Sequence, residues 1–106
     1  MNIAVATKDG KSVDEHFGKA TSFHIFEVKE DVFDLVMISQ IDEPYSSGEA
    51  PHVFDQERFG RIADKLKLCS KLYVTKIGDA PAEAFRAVGI DPVTYTGKIC
   101  DIDPDL

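Results

Sequence analysis

Apolar positions along the chain fall into five short strand-like runs and two stripes of helical period. The first run, Ile3-Ala4-Val5-Ala6-Thr7, is almost uninterrupted, the pattern of a central strand covered on both faces. It breaks at Lys8-Asp9-Gly10-Lys11, a turn by composition. Residues 22–28 are rich in aromatic and β-branched side chains and predict a second strand. Only Lys29-Glu30-Asp31 separates them from a third run over 32–41, so the two should form an antiparallel hairpin. Periodicity then lapses from Asp42 to Phe54, and residues 43–52 have the composition of a loop. A helix should open at Asp55, whose carboxylate can cap it, with Phe54 and Phe59 spaced as a hydrophobic staple. Phe59, Ile62, Ala63, Leu66 and Cys69 continue at helical spacing. A fourth strand over 72–76 leads through Ile77-Gly78-Asp79 into a second helix. Asp79 is its expected N-cap, Pro81 lies in its first turn, Ala84, Phe85 and Val88 form its stripe, and Gly89 is its stop. Residues 90–96 form a fifth strand, and 97–106 read as an acidic tail.

This order implies an α/β fold with a mixed five-stranded sheet. The hairpin makes the second strand antiparallel, while helical connections permit right-handed crossovers between parallel strands. The most economical strand order is 3-2-1-4-5, with helices packed on the sheet. Order then reverses beside the first strand, and the crevice at the carboxyl ends of the first and fourth strands becomes the expected ligand position. The loop 14–20 leaves the first strand there. Gly78 and Asp79 open the second helix beside it, where free amides would face an anionic ligand. His24 and the loop carrying His52 are expected at the same end, whereas Cys69 should lie at the opposite one. Cys100 is the thiol better placed to approach.

The remaining composition narrows the function. At 106 residues the chain suits one domain, 1–106, with a core that needs no disulfide or structural metal. No apolar run reaches membrane-spanning length, and the start lacks a signal-peptide pattern, so a cytoplasmic protein is expected. Cys69 and Cys100 are 31 positions apart with no CxxC, which excludes a zinc site by sequence. Two thiols also fall short of a protein-built iron–sulfur centre, so any cluster would arrive assembled and use few protein ligands. The net charge is −7, with nine carboxylates against one lysine between Glu27 and Glu57. Nucleic acid is disfavoured, because phosphate neutralisation needs a basic face.

The stretch with the most chemistry is Asp14-Glu15-His16-Phe17-Gly18-Lys19-Ala20. His16 supplies a metal-capable nitrogen, Phe17 a packing anchor and Gly18 backbone freedom. Read alone, the triplet also fits a plain structural account in which Phe17 plugs the core and His16 caps a turn. His24, within a strand, is a secondary metal candidate behind that of a satisfied strand residue; His52 is open between ligand and solvated loop residue.

With Asn2-Ile3-Ala4-Val5-Ala6, Asp9-Gly10, His16-Phe17-Gly18-Lys19-Ala20, Phe23, Ile77-Gly78 and Gly89-Ile90, the chain resembles the dinitrogenase iron-molybdenum cofactor biosynthesis family. The resemblance implies a ribonuclease H-like three-layer fold. It also implies transient binding of an iron-molybdenum cofactor or its iron–sulfur precursor, and partners among cluster-assembly or nitrogenase-related proteins. Carried over by residue, His16 contacts the metal and Phe17 and Gly18 shape the loop, while Lys19 and backbone amides offset negative charge. The chain lacks the cysteine-rich radical-enzyme segment of some members, so it is not expected to build the cofactor. The leading reading is therefore a small binding or carrier protein and not an enzyme. A regulatory or interaction domain using the acidic surface is the alternative. A nuclease-like enzyme ranks last, because the first strand contains no acid to hold divalent ions.

Overall fold

A computed structural model describes residues 1–45 and 54–105. His52, and with it much of the long loop, lies outside the described residues. In chain order the elements are β1 (Asn2–Ala6), β2 (Ser12–Val13), a 3-10 turn (Phe17–Lys19), β3 (Ser22–Lys29) and β4 (Val32–Gln40). There follow α1 (Gln56–Lys65), β5 (Lys71–Val74), α2 (Asp79–Ala87), β6 (Asp91–Thr94), β7 (Gly97–Lys98) and a last 3-10 turn (Ile99–Asp101).

The main sheet has the order β4-β3-β1-β5-β6. β1 pairs antiparallel with β3, Ala4 opposite Ile25, and parallel with β5, Ala4 opposite Leu72. β3 and β4 form the antiparallel hairpin, and β6 runs parallel to β5. Ile3, Ala4, Val5 and Ala6 are completely buried, which accounts for the unbroken apolar run.

Alternation along the strands divides this core in two. Ala4, Ala6, Phe23, Ile25, Leu72 and Val74 face both helices and meet Phe59, Ile62, Leu66 and Phe85. The two alanines leave room for bulky rings, and Phe59 and Phe85 stack edge-on at 4.7 Å. Ile3, Val5, Phe26 and Tyr73 face the other way and are covered by Val13, Ile99 and Ile102.

That second cover corrects the expected acidic tail. β7 pairs with β2, Val13 opposite Gly97, and the Ile99 amide donates to the Lys11 carbonyl at 2.9 Å. Ile99 and Ile102 are buried. Strands of two residues are too short to show a period, so only their pairing identifies them.

The helix ends follow local chemistry. The Asp55 side chain accepts from the Arg58 amide at 3.0 Å, and Phe54 meets Phe59 at 5.5 Å, completing the cap and staple. In α2 the expected cap shifts by one residue. Gly78 is the N-cap and has no side chain to donate to, while Asp79 is the first helical residue. Its carboxylate acts instead through the favourable helix dipole. At the other end the Ile90 amide donates to Phe85 and the Gly89 amide to Arg86, with Gly89 at φ +86°. This is a Schellman stop. It leaves Val88 at the C-cap and 58% exposed, so the buried stripe is Pro81, Ala82 and Phe85, not one ending at Val88.

The β3–β4 turn places Glu30 and Asp31 at φ 51° and 65°. Two-residue hairpin turns of this hand favour Asn-Gly, because other L-residues are strained there. Glu30→Asn should therefore stabilise the fold by roughly 1 kcal/mol, measured as a raised midpoint in thermal or urea unfolding.

Candidate functional site

The 14–20 loop is held by backbone and by one buried ring. The Thr75 amide donates to the Glu15 carbonyl at 3.0 Å, and the Phe17 amide donates to Lys76 at 2.9 Å. His16 thereby bridges in parallel to Lys76, just past the end of β5. The His16 carbonyl accepts from the amides of Lys19 and Ala20 at 3.1 and 3.0 Å, closing a single 3-10 turn. Phe17 is buried and packs 5.2 Å from both Tyr45 and Phe85. His16 and Lys19 are exposed. A histidine fixed through its backbone, with its imidazole left in solvent, is a fixed donor that a large partner can reach.

Phe85 belongs to α2, so the same ring contact that anchors the loop also sets α2 beside it. Gly78 and Asp79 open that helix two residues after Lys76. The first amides of a helix have no carbonyl partner within it and carry partial positive charge. The structure thus brings His16, Phe17, Gly18 and Lys19 to the segment 76–79. Lys76 is a residue the sequence reading passed over. Its signal was weak, since it looked like the last residue of a strand, and only the bridge to His16 puts its charge at the loop.

A scan of the sequence against family descriptions matches residues 1–102 to one described as dinitrogenase iron-molybdenum cofactor. The chain belongs to the dinitrogenase iron-molybdenum cofactor family. A FeMo cofactor biosynthesis protein NifB of Frankia alni is 35% identical over 86% of this chain. The chain spans only 18% of that protein's length. A Protein NifX of Herbaspirillum seropedicae is 28% identical over the whole chain, which covers 66% of that relative. The crystal structure of PH0822 shares the fold, with a TM-score of 0.70, 21% identity, and coverage of 96% of this chain and 84% of that one.

In this family domain the other sequence candidates lie apart from His16. Extended backbone alternates its side chains, and His16 has φ −73°, ψ 143°, so Glu15 and His16 point in opposite directions. Glu15 is only 12% exposed in its side chain and pairs with Lys8 at 3.2 Å. Both line a cavity of about 340 Å³ with Thr7, Ser22, Gln40 and His24. His24 is 9% exposed and lies against Gly10, where φ is +75° and an added Cβ would come 2.7 Å from the imidazole. His24 therefore lines this cavity with Glu15, on the side of the loop away from the exposed His16. Cys100 is exposed on the last 3-10 turn, next to the residue bonded to Lys11. Cys69 is buried where the Ser70 amide meets the Asn2 carbonyl, at the amino ends of β1 and β5.

The acids after β1 are engaged locally. Asp9 accepts from the amides of Lys11 and Ser12 at 2.8 and 3.1 Å, and these bonds hold its carboxyl below the usual range. Asp14 accepts from the Lys8 amide at 3.0 Å. Among the described residues no three His, Cys, Asp or Glu side chains gather as a metal-ion site.

Two measurements check this arrangement. Gly10→Ala should destabilise by more than about 1 kcal/mol, through both backbone strain and the imidazole contact. The loss should shrink, but not vanish, when paired with His24→Ala in a double-mutant cycle. Burial also pushes the Cys69 thiol from an ordinary 9.0 up to about 11. The folded protein therefore holds that proton longer than the unfolded chain. Its contribution to stability is complete below pH 9 and lost as pH rises toward 11. At pH 8 a thiol reagent should modify Cys100 rapidly and Cys69 only on unfolding.

Proposed function

We propose that this chain is a binding and carrier module for an iron-molybdenum cofactor or an iron–sulfur precursor of it, with His16 donating its imidazole to cluster metal. The observation that carries the reading is the exposed imidazole of His16 on a loop pinned by a buried Phe17 and two backbone hydrogen bonds. A bare metal ion needs several protein ligands, and a gathered set of that kind is missing among the described residues. A preassembled cluster brings most of its own ligands, so a single neutral imidazole suffices to attach it. Lys19, Lys76 and the opening amides of α2 supply positive potential for an anionic cargo without a coordinate bond. Gly78 supports the approach of the α2 amides because it adds no side chain there.

Few ligands also favour release, which a carrier requires. The reading assigns the chain no catalytic step. Its partners are then cluster-assembly or nitrogenase-related proteins of the cytoplasm, in keeping with the NifB and NifX names of its relatives. No helix among the described residues is long and apolar enough to cross a membrane. The ribonuclease H-like label belongs to this same reading and is supported by the mixed sheet; both helices pack on one face, and the third layer, on the other, is β2, β7 and the last 3-10 turn in place of a helix.

Anaerobic titration with an iron–sulfur precursor and, separately, with the iron-molybdenum cofactor tests the assignment. Binding should be saturable, with the visible absorption of the cluster comigrating with the protein on anaerobic gel filtration, and His16→Ala should weaken it at least tenfold, about 1.4 kcal/mol. Equal binding by His16→Ala would make His16 a structural turn residue.

A further inference from the structure

Val13, Ile99 and Ile102 cover the second face of the main sheet, but none of them lines the cavity of about 340 Å³ at the carboxyl end of β1. Strand register explains why the walls of that cavity converge. Phe23 and Ile25 turn toward the helices, so Ser22 and His24 turn to the opposite face. Their partners across the β3–β4 ladder, Gln40 and Ile38, stand beside them on that face. Thr7 continues the alternation of Ile3 and Val5 onto the same side, and Glu15 joins from the loop. Small-molecule sites start at volumes of about 300 Å³, so the space is larger than a few waters require.

Two side chains in it have unmet hydrogen-bonding capacity. His24 is only 9% exposed, lines the cavity, and makes no hydrogen bond among the described residues. A buried imidazole ordinarily finds a partner for at least one nitrogen. Its ring is also held in place. The Thr7 hydroxyl accepts from the Gly10 amide at 3.0 Å and donates to Asp9 at 3.3 Å, which lays Gly10 against the ring. A Cβ at Gly10 would come 2.7 and 2.9 Å from Cε1 and Nδ1 but 3.8 Å from Nε2, so Nε2 is the freer nitrogen. Glu15 is the second group. Its side chain is 12% exposed, yet its one ion-pair partner, Lys8 at 3.2 Å, is 78% exposed. A pair with so exposed a member is screened and weak.

We propose that this cavity binds a small zwitterion of the α-amino acid class, its ammonium on Glu15 and its carboxylate on Lys8 and the His24 ring. The charges of the walls select that class. A lone anion would face the Glu15 carboxylate, and a lone cation would take Glu15 from Lys8 and leave the lysine without a counter-charge. A zwitterion replaces one screened pair by two, each of its ends taking one partner. The Nε2 proton of His24 then gains an acceptor, while the Ser22 hydroxyl and the Gln40 amide offer neutral donors. Ile38 gives the ligand's side chain an apolar wall. The site lies on the side of the loop away from the exposed His16 and is independent of any cargo there.

Titration of the cluster-free full chain with the standard α-amino acids, read by calorimetry and by the ring resonances of His24, tests the proposal. At least one amino acid should bind saturably, with millimolar or tighter affinity, and shift the His24 signals. The matching acid without its amine, and the matching amine without its carboxylate, should each bind at least roughly tenfold more weakly. Glu15→Gln and Lys8→Met should each weaken the amino acid by roughly tenfold as well. Lys8 is exposed and makes no core contact, so Lys8→Met keeps the test open if Glu15→Gln disturbs the loop; circular dichroism confirms that each variant is folded. The proposal is overturned if no amino acid moves the His24 signals, which would make the cavity a water-filled cleft. It is overturned equally if the amine or the acid alone binds as tightly, or if binding is indifferent to both substitutions.

Discussion

Burial of the Phe17 ring is the contact on which the loop geometry rests. It packs against Tyr45 and Phe85, from the segment after β4 and from α2, so one side chain ties three parts of the chain together. Fully burying a phenylalanine is worth on the order of 1.5–3 kcal/mol, enough to hold a short loop in one place. His16 precedes it directly and has no freedom to drift. The imidazole stays exposed because the backbone, not the imidazole, makes the attachments to β5.

The sheet beneath supports this arrangement through an asymmetry in side-chain size. Alanines at positions 4 and 6 let the phenylalanines of both helices approach one face of β1 closely. Ile3 and Val5 fill the other face and need only a thin cover from β2, β7 and the final turn. Placing both helices on one face brings α2 next to the loop after β1. The amino end of α2 and the His16 loop become neighbours for that reason.

Electrostatics then separates two regions a few residues apart. On one side of the loop Glu15 and Lys8 neutralise each other beside His24, in a polar cavity. On the other, Lys19 and Lys76 join His16 with the opening amides of α2. In a chain of net charge −7, two lysines thus stand beside the exposed imidazole, with the Asp79 carboxylate at the start of α2.

Patterns local to the chain determined much of this. Uninterrupted apolar residues marked β1, helical spacing and Asp55 marked α1, and Gly89 marked the stop of α2. The His-Phe-Gly succession marked the loop, since side-chain types and short spacings carry that information by themselves. Tertiary structure decided what depends on pairing across distance. It turned residues 97–102 from a tail into the cover of the second core, and it moved the cap of α2 from Asp79 to Gly78. It put Lys76 beside His16 and set His24 apart from it. Those outcomes rest on which strand meets which and on which side of an extended chain a residue falls. Neither is encoded in a window of neighbouring residues, because both follow from contacts between segments tens of positions apart.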